Sequence, residues 1–133
     1  MSLLRHLVPK RIRAPFARYS HAVEAPAGAR WLVCSGQLGI SADDKIPEDA
    51  EAQTILCLEA IGACLAEAGM SFADIVRINA YVTDRAYMSG YMAVRDRYVA
   101  NPPPASTLMI VSGFTRPEFK VEVEVIAANA DGK

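Results

Sequence analysis

The length and charge of the chain exclude several classes of protein at the outset. Its 133 residues are enough for one domain and too few for two. A formal net charge of −1 provides no long-range field that would steer the protein toward nucleic acid or an anionic membrane. Hydrophobic residues make up 52% of the chain, a slight excess that favours burial of apolar surface against a second copy.

The cysteines and the N-terminus indicate a cytoplasmic protein without a metal or cofactor. Cys34, Cys57 and Cys64 are odd in number and lack a Cys-x-x-Cys spacing, so we expect reduced thiols and no zinc site. The sequence contains no phosphate loop, dinucleotide fingerprint or metal motif. Residues 1–16 are basic, with no apolar run long enough for a signal peptide or a membrane span, and are interpreted as an arm before the first strand.

The N-terminal half is predicted to form short strands followed by one long helix. Strands are expected at residues 17–23 and at Trp31 to Cys34, and residues 37–48 read as a loop with room for a short strand. Apolar residues at three- and four-residue spacing predict a helix from about Pro47 to Ala68, with Gly69 as its C-cap.

The C-terminal half is predicted to alternate strands with a second helix. Residues 75–83 alternate cleanly and predict a strand, after which Asp84 is expected to cap a helix that ends before three prolines. The apolar stripe of that helix consists of Tyr87, Tyr91, Val94 and Tyr98. Two further strands are expected at 107–111 and 119–127.

This order of elements indicates an α+β fold in which two helices cover one face of a sheet. The opposite face is expected to carry Arg77, Asn79, Tyr81, Lys120, Glu122 and Glu124. Such a face is either solvated or buried against a partner, and the apolar excess of the chain favours the partner.

Several segments, in order, resemble the Rid family (reactive-intermediate deaminase, also called YjgF or endoribonuclease L-PSP). Tyr19-Ser20-His21-Ala22 is similar to the family's Tyr-Ser-Gln-Ala, and Cys34-Ser35-Gly36-Gln37 resembles its Ser-Gly-Gln turn. Val82-Thr83-Asp84 resembles a strand-to-helix junction, and residues 121–127 are similar to the closing Val-Glu-Ile-Glu-Ala-Ile-Ala strand. The resemblance covers residues 17–128 and leaves 129–133 as a tail.

The resemblance implies a chorismate-mutase-like fold: a mixed six-stranded sheet with two helices on one face, in a homotrimer whose sheets form a barrel. It also implies that a small-molecule metabolite binds in the clefts between subunits. The best-known members hydrolyse enamines and imines such as 2-aminoacrylate and 2-iminopropionate to 2-keto acids and ammonia. Other members are described as endoribonucleases, but no basic stripe with aromatic residues supports nucleic-acid binding here.

One departure from the family falls at its catalytic arginine. The family's Pro-Ala-Arg-Ser corresponds to Pro103-Pro104-Ala105-Ser106-Thr107, which places Ala105 where the arginine is expected. The planar fork of an arginine holds a substrate carboxylate through two charge-assisted hydrogen bonds, and alanine offers neither charge nor donor. Met92 and Arg95 fall where many members carry asparagine and tyrosine. These differences predict a repurposed pocket or a lost one.

The resemblance assigns roles to named side chains. Glu124 matches the glutamate that orients the attacking water, and Tyr19 matches the pocket tyrosine; these two are the predicted catalytic residues. The predicted ligand-binding residues are Gly36, Ser35, Ala105, Ser106, Thr107, Met92, Arg95 and Arg116.

Alternatives remain open at several of these positions. Arg95 and Arg116 are candidates to replace the missing cation, and each is otherwise a solvated surface arginine. Glu124 is otherwise a polar residue paired across an interface with Lys120 or an arginine. Two functions are therefore carried forward: a hydrolase or deaminase for a substrate other than simple 2-imino acids, and a non-enzymatic trimeric module that binds a metabolite or a protein.

Overall fold

The computed structural model describes residues 3–130 of the chain. The strands and helices, in chain order, are β1 (Arg5–Leu7), β2 (Ala22–Glu24), β3 (Arg30–Val33), β4 (Gln37–Leu38), α1 (Ala50–Glu67), β5 (Ile75–Val82), α2 (Met88–Tyr98), β6 (Ala105–Ile110) and β7 (Val121–Asn129). Two short 3-10 turns, Phe72–Asp74 and Arg85–Tyr87, precede β5 and α2.

The main sheet is mixed and has five strands in the described part of the chain. Its order is β3-β7-β5-β6, and β4 also pairs with β7. Strand β7 runs antiparallel to its neighbours, whereas β5 and β6 are parallel. The α+β class, the mixed sheet and the two helices agree with expectation. The expected six-stranded sheet is wrong, because β1 and β2 form a separate antiparallel pair.

The N-terminal region differs most from the sequence prediction. The expected strand at 17–23 begins only at Ala22, because Ser20 is hydrogen-bonded to the loop before β6 and not to a neighbouring strand. Its amide donates to the Pro104 carbonyl at 2.9 Å, and its hydroxyl donates to the Pro103 carbonyl at 2.6 Å. The predicted arm, residues 1–16, carries β1. The predicted tail, 129–133, overlaps the end of β7, and residues 131–133 lie outside the described part.

The hydrophobic core lies between the two helices and one face of the sheet. The apolar residues of β7 and β5 alternate with polar ones, so a single face of each strand is buried. Asp49 is the N-cap of helix α1, and its carboxylate accepts a hydrogen bond from the Ala52 amide. The helix ends before Gly69, which has a φ of 70°. The largest buried side chains are Leu58, Ile61, Leu65, Ile75, Ile78, Val82, Tyr91, Val94, Val121, Val123 and Val125.

Gln53 joins helix α1 to the start of β7. Its amide nitrogen donates to the Pro47 and Glu118 carbonyls, and its amide oxygen accepts from the backbone of Lys120. Gly39 packs directly on this residue: a Cβ added at Gly39 would lie 2.4 Å from the Gln53 Cβ and 2.7 Å from its Cα. Only glycine therefore fits at this contact between the β4 segment and α1.

The face of the sheet opposite the helices has a polar centre and apolar edges. Trp31 and Val33 on β3 are 57% and 72% exposed, and Met109 on β6 is 52% exposed. The polar residues of β5 and β7 lie between these two edges. We call this surface the open face. Exposed apolar side chains grouped on one face of a sheet favour a surface that a partner covers.

Within residues 3–130, neither helix has the length and apolar character needed to cross a membrane.

Replacing Gly39 with alanine is expected to destabilise the protein. The added methyl group collides with helix backbone as well as with a side chain. Overpacking of this kind costs about 1–3 kcal/mol in the free energy of unfolding. Gly113→Ala is the matched control, because a Cβ there meets nothing within 4 Å. Urea denaturation at fixed protein concentration measures both variants, and equal stability would contradict the described packing.

Candidate functional site

A cavity of about 280 Å³ lies on the helix side of the sheet, between α2, β6 and the segment before β2. Four of the residues predicted from the sequence line it: Tyr19, Met92, Arg95 and Ser106. The remaining lining residues are Phe16, Ala17, Met88 and Leu108. The structure therefore brings together four of the ten predicted site residues in one place.

Simple periodicities place these side chains around the cavity. Met88, Met92 and Arg95 are spaced by four and three residues, so they lie along one face of α2. Ser106 and Leu108 alternate with outward residues on β6 and point to the helix side, opposite Ile78 and Ala80 of β5. The hydrogen bonds of Ser20 hold the segment that carries Tyr19 beside β6.

Arg95 is a buried cation, with 2% of its surface exposed. Its Nε and Nη2 atoms donate to one oxygen of Asp96, at 3.1 and 3.0 Å, and its guanidinium carbon lies 5.7 Å from the centre of the Tyr91 ring. The Asp96 side chain is 41% exposed. Burial raises the pKa of the Tyr91 hydroxyl, although the nearby guanidinium opposes this shift. The alternative that Arg95 is a solvated surface residue is wrong.

Two of the other predicted residues, Ala105 and Thr107, lie on the open face. Ala105 and Thr107 flank Ser106 on β6 and point to the side away from the helices, in register with Arg77 and Asn79. The Arg77 guanidinium donates to Thr107 Oγ1 at 2.6 Å and to Asn79 Oδ1 at 2.8 Å. Because neighbouring residues of a strand face opposite ways, the Ala105–Thr107 segment contributes to both sides of the sheet.

Glu124 also lies on the open face, and neighbouring side chains occupy one of its oxygens. Asn79 and the Tyr81 hydroxyl donate to Glu124 Oε2 at 3.2 and 2.9 Å. The hydrogen bond to Glu124, followed by burial, raises the pKa of Tyr81. The Lys120 ammonium is directed elsewhere, to the backbone carbonyl of Glu48.

Gly36 contacts a second carboxylate, Glu122, which sequence reasoning placed on this face but did not assign to the site. A Cβ at Gly36 would lie 2.3 Å from Glu122 Oε2, so the carboxylate rests on the glycine backbone. Burial, and then repulsion from Glu124, raises the pKa of Glu122. Within residues 3–130, no hydrogen bond or ion pair holds this carboxylate. No local sequence signal marks this contact, because it arises from the pairing of β4 with β7, which aligns Leu38 with Glu122.

The two remaining predicted residues lie apart from the cavity. Ser35 is exposed, and its backbone carbonyl accepts a hydrogen bond from the Gln37 side chain at 3.1 Å. Arg116 is exposed in the turn before β7, with its guanidinium 5.2 Å from the centre of the Phe119 ring. Among the described residues, no group of three or more histidine, cysteine, aspartate or glutamate side chains is placed to hold a metal ion.

Together these features define an α+β protein with two chemically different candidate sites on opposite sides of its sheet. One is a cavity with a buried arginine, and the other is a carboxylate on the open face. Comparison with known proteins identifies the family: residues 10–129 match the model described as endoribonuclease L-PSP. The chain therefore belongs to the endoribonuclease L-PSP family, which includes the Rid and YjgF proteins that its sequence resembles.

Individual relatives agree with this assignment. The chain is 32% identical to protein DfrA of Myxococcus xanthus over 113 residues, which cover 84% of this chain and 85% of that protein. The crystal structure of YyfB from Yersinia pestis, a Rid family protein of unknown function, matches with a TM-score of 0.82 at 28% identity and covers 93% of this chain and 97% of that one. RidA from the Antarctic bacterium Psychrobacter matches with a TM-score of 0.69 at 27% identity, covering 92% and 98%.

The contact between Gly36 and Glu122 predicts that a substitution at Gly36 changes the pKa of the Glu122 carboxyl group. The methyl group of Gly36→Ala would push the flexible end of Glu122 toward solvent. We therefore expect the pKa of Glu122 to fall toward its ordinary value, since its raised pKa arises first from burial. Carboxyl-carbon NMR titration measures this shift, with Gly113→Ala as the control. An unchanged Glu122 pKa in Gly36→Ala would show that the glycine contact does not control its environment.

Proposed function

We propose that the protein is a Rid-type hydrolase that acts on a small enamine- or imine-type metabolite other than simple 2-imino acids. The observation that supports this most directly is the Glu122 carboxylate, which has a raised pKa and no partner in the described part of the chain. A carboxylate whose pKa is raised above its ordinary value is a stronger base, so it accepts a proton from water more readily.

Imine hydrolysis requires one proton acceptor and a bound electrophile. Water adds to the carbon of the C=N bond as the carboxylate accepts its proton. That proton passes to nitrogen to give a carbinolamine. The carboxylate then moves the proton of the carbinolamine hydroxyl to nitrogen, the C–N bond breaks, and ammonia leaves a carbonyl product. Glu122 is the better acceptor, because Glu124 Oε2 already receives two hydrogen bonds. In this scheme Glu124 positions neighbouring groups, and Tyr19 contacts the substrate from the cavity.

The active site is proposed to lie between two copies of the chain in a homotrimer. Within one chain the cavity is on the helix side of the sheet, whereas Glu122 is on the open face. A single sheet separates them, so a neighbouring copy must bring its Glu122 and Gly36 to the cavity mouth. The apolar edges of the open face, at Val33 and Met109, supply surface for such contacts.

A second candidate function is a non-enzymatic trimeric module that binds a metabolite or a protein. Ala105 favours it, since the resemblance gives that position to the catalytic arginine. Ligand binding without turnover of any imine would support this candidate over the hydrolase.

The proposed trimer predicts a specific mass and a specific loss of that mass when one apolar residue of the open face is replaced. Light scattering at micromolar concentration should give three times the subunit mass of 14.4 kDa. Val33→Glu should dissociate it, because a charge would replace an apolar side chain on the covered face. Val8→Glu, at a residue that is 50% exposed and away from the main sheet, should leave the mass unchanged. A single subunit mass for the unmodified protein would reject the assembly.

The proposed hydrolase activity predicts that replacing Glu122 lowers turnover more than replacing Glu124 does. Imines generated in situ by an amino-acid oxidase provide the assay. We expect little turnover of 2-iminopropionate and greater turnover of imines with larger apolar side chains. Glu122→Gln should lower that turnover by about 100-fold, in the range for loss of a general base. Glu124→Gln serves as the matched control with a smaller loss, and equal losses in the two variants would contradict the assignment of Glu122.

A further inference from the structure

We propose that the segment after β1 binds the surface of an anionic phospholipid membrane. This segment consists of residues 8–16, Val-Pro-Lys-Arg-Ile-Arg-Ala-Pro-Phe, and we call it the basic loop. Its cations bind lipid phosphates, and its aliphatic side chains insert at the level of the headgroups. The inference concerns where the protein is held, so it goes beyond the proposed hydrolase activity and does not depend on it.

The distribution of charge along the chain is the first argument. Residues 1–18 carry five of the 14 basic residues and none of the 15 acidic ones. Residues 19–133 therefore carry nine basic and 15 acidic residues, which gives them a formal net charge of −6. The overall net charge of −1 conceals this separation. Attraction to an anionic surface is confined to the N-terminal segment, because salt screens charges beyond about 10 Å.

Two cations of the basic loop are available to bind lipid phosphates. Lys10 and Arg11 are both exposed, and within residues 3–130 their side chains make no ion pair and no hydrogen bond. Arg5, just before the loop, differs from them, because it is paired with Glu24 of β2 at 2.5 Å. The charge that remains uncompensated is therefore concentrated in the basic loop.

Hydrogen bonds fix the second half of the basic loop to the segment before β2. The His21 Nε2 atom donates to the Arg13 carbonyl at 2.6 Å, and the Phe16 amide donates to the Tyr19 hydroxyl at 3.3 Å. An ordered backbone thus presents the exposed side chains. Less conformational entropy is lost on binding than for a flexible arm of the same composition.

The apolar side chains of the basic loop favour a lipid surface over nucleic acid. Val8 and Ile12 flank the cations and are both exposed. Aliphatic groups beside cations suit the boundary between headgroups and acyl chains, whereas stacking on nucleic-acid bases requires aromatic faces. Phe16 is the aromatic residue of the loop, and the guanidinium carbon of Arg13 lies over its ring, 4.0 Å from the centre. That face is therefore already occupied.

Co-sedimentation of the full chain with lipid vesicles tests this inference. Vesicles of phosphatidylcholine and phosphatidylglycerol in equal parts should bind the protein, vesicles of phosphatidylcholine alone should not, and added salt should weaken the binding. Replacing two cations together, Lys10→Gln and Arg11→Gln, should lower the affinity by about tenfold or more. The reason is that each cation close to an anionic surface contributes about a fivefold gain.

The matched control removes two exposed cations from elsewhere in the chain, Lys45→Gln and Arg97→Gln. The net charge of this variant equals that of the loop variant, but its basic loop is intact, so its affinity for the anionic vesicles should stay close to that of the unmodified protein. Equal weakening in the two double variants would show that net charge alone controls binding and would overturn the assignment to the loop.

Ile12→Ser tests the insertion of the loop separately from its charge. This variant should bind the anionic vesicles several-fold more weakly, because an aliphatic side chain no longer leaves water. An unchanged affinity would overturn the insertion. No binding of the unmodified protein to the anionic vesicles would overturn the whole inference. Binding of a single-stranded RNA oligonucleotide in place of the vesicles, measured by fluorescence anisotropy, would assign the loop to nucleic acid instead.

Discussion

The alternation of side chains along strand β7 is the constraint on which the rest of the structure depends. This strand pairs with β3, β4 and β5, so it fixes which residues of the sheet share a face. Val121, Val123 and Val125 are buried beneath the helices, and the two glutamates between them therefore face the other way. A shift of one residue in register would bury both carboxylates and expose the valines.

The same alternation divides the candidate site. On β6, Ser106 faces the cavity, whereas its neighbours Ala105 and Thr107 face the open side. The groups suited to holding a ligand and the group suited to activating water lie on opposite sides of one sheet. Within one isolated chain these groups cannot act on the same ligand, because the sheet lies between them. In the proposed assembly a second copy contributes the missing half, so we expect hydrolysis to depend on assembly.

Much of the fold could be predicted from the sequence because its patterns are local. The alternating segment that became β5 and the periodic segment that became α1 were both correctly predicted. Strand β1 and the start of β2 were not correctly predicted, and at β2 the reason is that Ser20 owes its conformation to carbonyl groups more than 80 positions away in the chain.

The candidate site was predictable only in part, for a related reason. Sequence and resemblance identified Tyr19, Met92 and Ser106, but they left Arg95 and Arg116 equivalent as replacement cations. The two are distinguished by burial, which depends on how α2 packs against the sheet and has no local signal. Glu122 was missed as a site residue because its environment is set by Gly36, which β4 brings alongside β7.

The central claim is that each active site combines a cavity from one copy with a glutamate from another. The most direct measurement combines Glu122→Gln with a variant of the cavity, Arg95→Gln, each of which is expected to hydrolyse imines poorly alone. The two are unfolded together and refolded, and imine hydrolysis is assayed. In randomly assembled trimers about a quarter of the sites would be intact. A site needs an unmodified cavity from one chain and an unmodified glutamate from its neighbour, and about half of the chains supply each. A mixture no more active than either variant alone would contradict a shared site.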